Sequence, residues 1–332
     1  MTGWLFLSDR DLPVAGPLPD VLDSGTLVLE LSWPLPTGVL LDWQGQDNRA
    51  LSLFHHPSSG LGLLWRDGPM LRRFLLAGAL RSDARLARLH LRWSAAESAW
   101  SMRLDGADET TIGSTYGLAP PALPAPALAQ LCAGKGLRRR DASVLWFGVT
   151  SGAMPPKGTA WMGLSTPVPT VEGPVPAGRL QPGQWVLTRD AGPVRLRSVR
   201  RMDMPSRGSH AAIVLRAPYH ARDRDLLVSA DQLVAVGGLE AEYLFGEDEV
   251  LVSAGALVDG RSVLADNRRA TTQGISLDLG QLHLIDVQGC LLMTAHHGSL
   301  ATRPILPLRA LADYEDVPLM GLLRRMKPSD AA

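Results

Sequence analysis

Two adjacent histidine pairs, His55-His56 and His296-His297, and a scatter of oxygen donors are the first residues whose types could do chemistry. Neighbours along a strand point to opposite faces, so neither pair can close on one metal as His-x-His would, and loop histidines in solvent are the expectation. Asp42, Asp47, Asn48, Asp105 and Asp108 could supply oxygens to Ca²⁺, but Asp and Asn are also turn formers, and no metal or other cofactor is assigned. Trp33, Trp43, Trp65, Trp93 and Trp100 could stack on sugar rings, with burial in a core as the alternative. There is no Gly-x-x-x-x-Gly-Lys phosphate loop, no Gly-x-Gly-x-x-Gly turn and no Gly-x-Ser-x-Gly elbow. The charge balance, 33 basic against 33 acidic residues, gives no reason to expect nucleic acid as a partner.

The elements that must position any chemistry are short and β-like. Pro182-Gly183 separates two short apolar runs, so the chain reverses into a strand at Trp185–Thr188. Asp190 to Gly192 then forms a hairpin turn into Val194–Val199, where the alternation shifts as in a bulged strand. Ile213–Leu215, Leu226–Val228, Leu233–Val236 and Val250–Val252 continue the series, each bounded by Gly, Pro or Asp. None is long enough to span a membrane.

This order of motifs, from Thr166 to Gly260, resembles the bacterial Hint (Hedgehog/intein) domain over roughly 163 to 295. The resemblance implies an autoprocessing module whose first residue, a Cys or Ser, attacks the preceding carbonyl, a step that needs a general acid for the leaving amine. It places that residue between Trp161 and Ser165, where Ser165 is the only hydroxyl, with Thr166 beside it. It places the acid in a Ser-Pro-Gln-His block that here reads Ser229-Ala230-Asp231-Gln232. Gln232 donates hydrogen bonds but exchanges no proton at neutral pH. A further family His falls at Leu282, with His283 one place later, and a one-residue shift in a strand turns the side chain to the other face. The two asparagines, Asn48 and Asn267, stand in no splicing context. The weak catalytic candidates are therefore Ser165, Thr166, Ser229, Gln232 and His283, in a Hint domain degenerate at its reacting positions.

Residues 1–153 read as a separate unit. Gly25–Trp33, Ala50–Phe54 and Gly60–Trp65 alternate apolar and polar residues. Leu89–Trp93 and Ala99–Leu104 form a hairpin, and Ser143–Val149 can return beside Trp4–Leu7. The pattern is that of a jelly-roll-like sandwich, similar to concanavalin/laminin-G folds. Pro126 opens a short surface helix ending at Cys132. The expected fold is mainly β: sandwich 1–153, linker 154–162 within and after the Pro/Gly segment Gly152–Gly158, Hint-type domain 163–298, and a tail 299–332 strapped across a domain.

Cys132 and Cys290 fall in different units, so no structural disulfide is expected and a reducing, cytoplasmic setting is the default. The start, Met1–Ser8, has no basic segment and too short an apolar run for a signal peptide. Three functions stay open: a catalytically silent binding or assembly protein with an unknown protein partner; an autoproteolytic Hint enzyme cutting near residue 164; and a glycan-binding protein acting through the sandwich.

Overall fold

Alternation decides the first unit. In Ser24–Ser32, Leu27, Leu29 and Leu31 enter the core while Thr26, Val28 and Glu30 take the opposite face. The computed structural model describes residues 3–9, 12, 18–83, 85–106, 110–152, 159–297 and 305–323. The chain divides into two units, Met1–Met154 and Pro155–Ala332. The stretch read as a linker lies outside the described residues from 153 to 158, as do Asp108 and the tail residues 299–304 and 324–332.

Two antiparallel sheets build the first unit. One runs in the order Trp4–Leu7, Val144–Thr150, Ser24–Ser32, Leu86–Ser94, Ala99–Gly106, Thr111–Leu118. The other runs Leu137–Arg140, Gly38–Gln44, Ala50–His56, Gly60–Asp67, Met70–Ala77. The closing strand does return beside the first, with Phe6 opposite Val149 and Leu7 opposite Gly148. Leucines from both sheets fill the space between, together with Trp43, Trp65, Trp93 and Phe147. Trp43 and Trp65 stack at 6.1 Å, and the Trp43 indole N–H donates to Lys135 O at 2.7 Å. Trp33 and Trp100 pack partly buried against the same core. These indoles hold the sandwich together, and Trp43, Trp65 and Trp93 have no face left for a sugar.

The helix Ala125–Cys132 is not the surface element its proline suggested. Ala125, Leu128, Leu131 and Cys132 recur at helical spacing and are buried in the sandwich core. Two of the five oxygen donors weighed for calcium have arginine partners: Asp105 grips Arg103 Nε at 2.6 Å and accepts from Thr111, and Asp47 pairs with Arg49.

The second unit has a six-stranded sheet in the order Ser198–Pro205, Thr271–Asp278, Met162–Gly163, Leu226–Val228, Ala212–Leu215, Val263–Asp266. A four-stranded sheet follows the order Glu249–Ser253, Leu233–Gly237, Cys290–Met293, Leu284–Val287. The hairpin Trp185–Thr188 with Gly192–Arg195 forms as its turn residues require, and Gly183 reaches φ 99°, a left-handed conformation open to glycine. The bulged strand read at Val194–Val199 is instead two strands. It breaks where Leu196 turns into the core and Arg197 N–H reaches Asp278 O. The strap is real: Leu251 N–H donates to Arg309 O, Leu311 N–H donates to Leu251 O, and the helix Asp313–Leu323 buries Leu319 and Met320 in the core. Among the described residues no helix is long and apolar enough to cross a membrane.

Cys132 and Cys290 are both unbonded and buried, one in each unit. Burial pushes both thiols up, Cys290 to about 12 with the nearby Asp286 adding to it. The thiolate is the reacting form, so neither should react with Ellman's reagent in the folded protein, and both should react once it is unfolded. A thiol titrating in the native state would place it at an open surface instead.

Candidate functional site

The short strand Met162–Gly163 lies between two neighbours: Met162 pairs with Val228 on one side and with Ile275 on the other. Ser229, immediately after Val228, holds the residue before that strand twice over. Its N–H donates to Trp161 O at 3.0 Å, and its hydroxyl accepts from Trp161 N–H at 3.3 Å. Ser229 thus holds both backbone polar groups of Trp161. The side chain at that place is an indole, 2% exposed, packed with Met202, Met204 and Ala212. Its ring lies on Gly274, where an added Cβ would come within 2.4 Å of it. The side chain held there, an indole, carries neither thiol nor hydroxyl.

Gln232 sits one turn beyond Ser229, donating its N–H to Ser229 O at 3.1 Å. Its side chain is fully buried and used structurally: Nε2 donates to Met293 O at 2.7 Å and to Leu233 O at 3.0 Å. Oε1 is buried without a hydrogen-bond partner. An amide so held ties the turn to the strand Cys290–Met293.

Ser165 lies four residues past the gripped amide. It is exposed and lines an open groove of about 540 Å³ with Asp225, Asp266, Arg268 and Arg269. Thr166 is buried, its N–H donating to Gly163 O and its carbonyl accepting from Ala177 N–H. His283 pairs with Asp190, Nδ1 to Oδ2 at 2.8 Å, while Asp190 Oδ1 accepts from Leu284 N–H at 2.9 Å. Thr294 completes its setting, accepting from His283 N–H at 2.9 Å and donating its own N–H to His283 O. Leu282, the position where the resemblance implies a histidine, packs partly buried against Leu251, Leu284 and Met293.

The structure therefore joins Ser229 to Gln232 through the backbone and gives His283 a carboxylate partner. Sequence reasoning missed Asp190, which reads as an ordinary hairpin-turn acid. It also missed Trp161 as the gripped residue, because an indole carries no reactive signature. His55, His296 and His297 depart from the solvated-loop expectation, whereas His56 is exposed, at the end of the strand Ala50–His56. His55 is 7% exposed and within 3.1 Å of Pro36 O, and His296 and His297 are half-buried among polar partners.

Residues 164–299 match the Hint domain family, a span that begins three residues after Trp161. No curated protein matches the chain. Among solved structures it is similar to the MchDnaB-1 intein, at 17% identity and TM-score 0.27 over 40% of this chain and 98% of that one. It is also similar to the gp41-1 intein, at 15% identity and TM-score 0.28 over 42% and 98%. Domains LG4-5 of the mouse laminin alpha1 chain give 11% identity and TM-score 0.26 over 84% and 73%. The family match, with the observed sheets, leads to one conclusion: the chain carries a Hint domain with an N-terminal β-sandwich.

Proposed function

We propose that this Hint domain is silent toward its own backbone and that the chain works as a binding or assembly module. The observation that carries the reading is the indole at position 161. The residue whose backbone Ser229 holds, Trp161, offers neither thiol nor hydroxyl to attack the preceding carbonyl. Gln232 supports the same reading, since its amide is bonded to two carbonyls and has no proton to give a leaving amine. We keep the division into sandwich 1–153, linker 154–162, Hint domain 163–298 and tail 299–332 as part of this proposal.

A binding role draws support from surface apolar groups that the fold does not use. The helices Leu239–Phe245 and Asp313–Leu323 pack against each other, and Leu239, Tyr243, Tyr314 and Val317 on them are at least 70% exposed. Exposed apolar residues gathered on neighbouring elements mark interaction surfaces.

Intact mass after prolonged incubation at neutral pH, with and without hydroxylamine or thiol, tests the silence. The expected result is unchanged full-length protein of 35.7 kDa. Fragments broken at Ala160–Trp161, or at Leu164–Ser165 or Ser165–Thr166, would overturn it and restore autoproteolysis. Gln232→His is expected to leave the mass equally unchanged, because an added acid without a nucleophile cannot start the acyl shift. Cleavage in Gln232→His that disappears in Gln232→His/Ser165→Ala would instead identify Ser165 as a working nucleophile.

A further inference from the structure

The free edge of the six-stranded sheet carries a polar cluster that the Hint reading leaves unused. Ser198 begins the edge strand and pairs with Asp278, and Arg200 pairs with Ser276. Directly paired residues and residues two apart share a face, so these four side chains stand on one side of the sheet. His297 joins them. Its Nδ1 is 2.7 Å from Ser198 Oγ and its Nε2 is 3.0 Å from Ser276 Oγ. Its backbone N–H donates to Asp278 Oδ2 at 3.2 Å, and Asp278 Oδ1 accepts from Gly280 N–H at 2.7 Å and lies 3.6 Å from His296 Nδ1.

The two serines differ in access. Ser276 is fully buried, whereas Ser198 and His297 are half-buried and Arg200 is exposed. A neutral imidazole has one donor and one acceptor. With Nε2–H given to the buried Ser276, Nδ1 is left to accept the Ser198 proton. Burial, then the neighbouring Arg200, holds the His297 imidazole below its ordinary value, with Asp278 pulling upward and His296 adding to the lowering. At neutral pH the ring is therefore unprotonated and free to act as a base.

We propose that Ser198 is a nucleophile for carboxylic esters, activated by His297, with Ser276 holding the far ring nitrogen and Arg200 beside the developing oxyanion. Ser198 Oγ bonds to the ester carbonyl carbon as its proton passes to His297 Nδ1. The C–O bond to the leaving alcohol then breaks, and the alcohol departs with that proton. Water, deprotonated by His297, bonds to the acyl carbon, the C–Oγ bond breaks, and His297 returns the proton to Ser198 Oγ, so one ester and one water give one acid and one alcohol. This chemistry acts on an outside molecule and is independent of whether the chain can cut its own backbone near Trp161.

The test is a tagged fluorophosphonate applied to the full chain, followed by peptide mass spectrometry. Attack forms the Oγ–P bond, breaks P–F, expels fluoride and leaves the proton on His297. One label per chain, on Ser198, is expected. Ser198→Ala should lose it, and His297→Gln should label about 100-fold more slowly. The mapped position in the unaltered protein carries the result even if a variant folds poorly. The positioning role of Ser276 is read from the pH profile: the labelling rate should rise to a plateau with a midpoint below 6.5, and Ser276→Ala should move that midpoint. Labelling no faster than that of unfolded protein, or a label on another residue, would overturn the proposal; an unmoved midpoint would remove Ser276 from it.

Discussion

Trp161→Ala is expected to lower the stability of the second unit by about 3–5 kcal/mol, the range for emptying a buried aromatic site. Ser165→Ala should stay within about 0.5 kcal/mol, as an exposed change does. The contrast follows from what each residue touches. The Trp161 ring is 2% exposed and closes a small cluster with Met202, Met204 and Ala212, while Gly274 beneath it is one of the few residues that leaves room for an indole. The strand it precedes is hydrogen-bonded on both sides, so the backbone cannot collapse into the vacated space. Chemical unfolding, followed on the transition of the second unit, measures the difference. A loss under about 1 kcal/mol in Trp161→Ala would mean the indole is not a structural plug. The indole at position 161 therefore serves packing: a smaller side chain placed there would leave most of the ring's volume empty.

The strands were legible wherever polarity alternates. Ser24–Ser32 and the hairpin Leu86–Ser94 with Ala99–Gly106 formed on the faces their leucines demanded. The pairing of Trp4–Leu7 with Val144–Thr150 was also legible, because two apolar ends of one unit need a partner strand. The helix Ala125–Cys132 was misjudged because alanine-rich segments bury as readily as they solvate, and only the surrounding sandwich decides between them. Leu196 broke an expected strand for a similar reason: the demand of the core on one leucine outweighed local alternation.

The turn that holds Ser229 and Gln232 could be named from the sequence, but the partners of its residues could not. Ser229 and Gln232 bond to Trp161 and Met293, which are 68 and 61 residues away in sequence. His283 was singled out, but its partner Asp190 lies 93 residues earlier in a turn whose composition already accounted for an aspartate. Ser198, Ser276 and His297 come from two adjacent strands and the segment beyond the last one. No local spacing encodes a meeting of that kind. What a sequence displays is periodicity and punctuation, whereas hydrogen-bonded clusters depend on register, which is settled only when the sheet closes.

Register also sets the second large effect, a loss of sandwich stability in acid. On the face of the first sheet opposite the core, Glu30 pairs with Arg88, Arg88 with Asp105, and His90 with Arg103 across successive strands. Arg88 and Glu30 form a buried ion pair at 3.6 Å, and the His90 Nε2 atom is buried without a hydrogen-bond partner. Burial, opposed by Asp105 and reinforced by Arg88 and Arg103, drives the His90 pKa down to about 4 from an ordinary 6.5. Between these values the unfolded chain takes up a proton that the folded sandwich refuses. Stability from this group is therefore fully present above pH 6.5 and is lost as pH falls toward 4, by up to about 3 kcal/mol. Unfolding of the sandwich should be compared at several pH values from 7 to 4 in the unaltered protein and in His90→Gln. The variant, having nothing to titrate at this position, should lose less stability by that amount, with the two curves separating below pH 6.5. Parallel curves through the window would mean that the ring is protonated in place, with Asp105 outweighing burial and the two arginines.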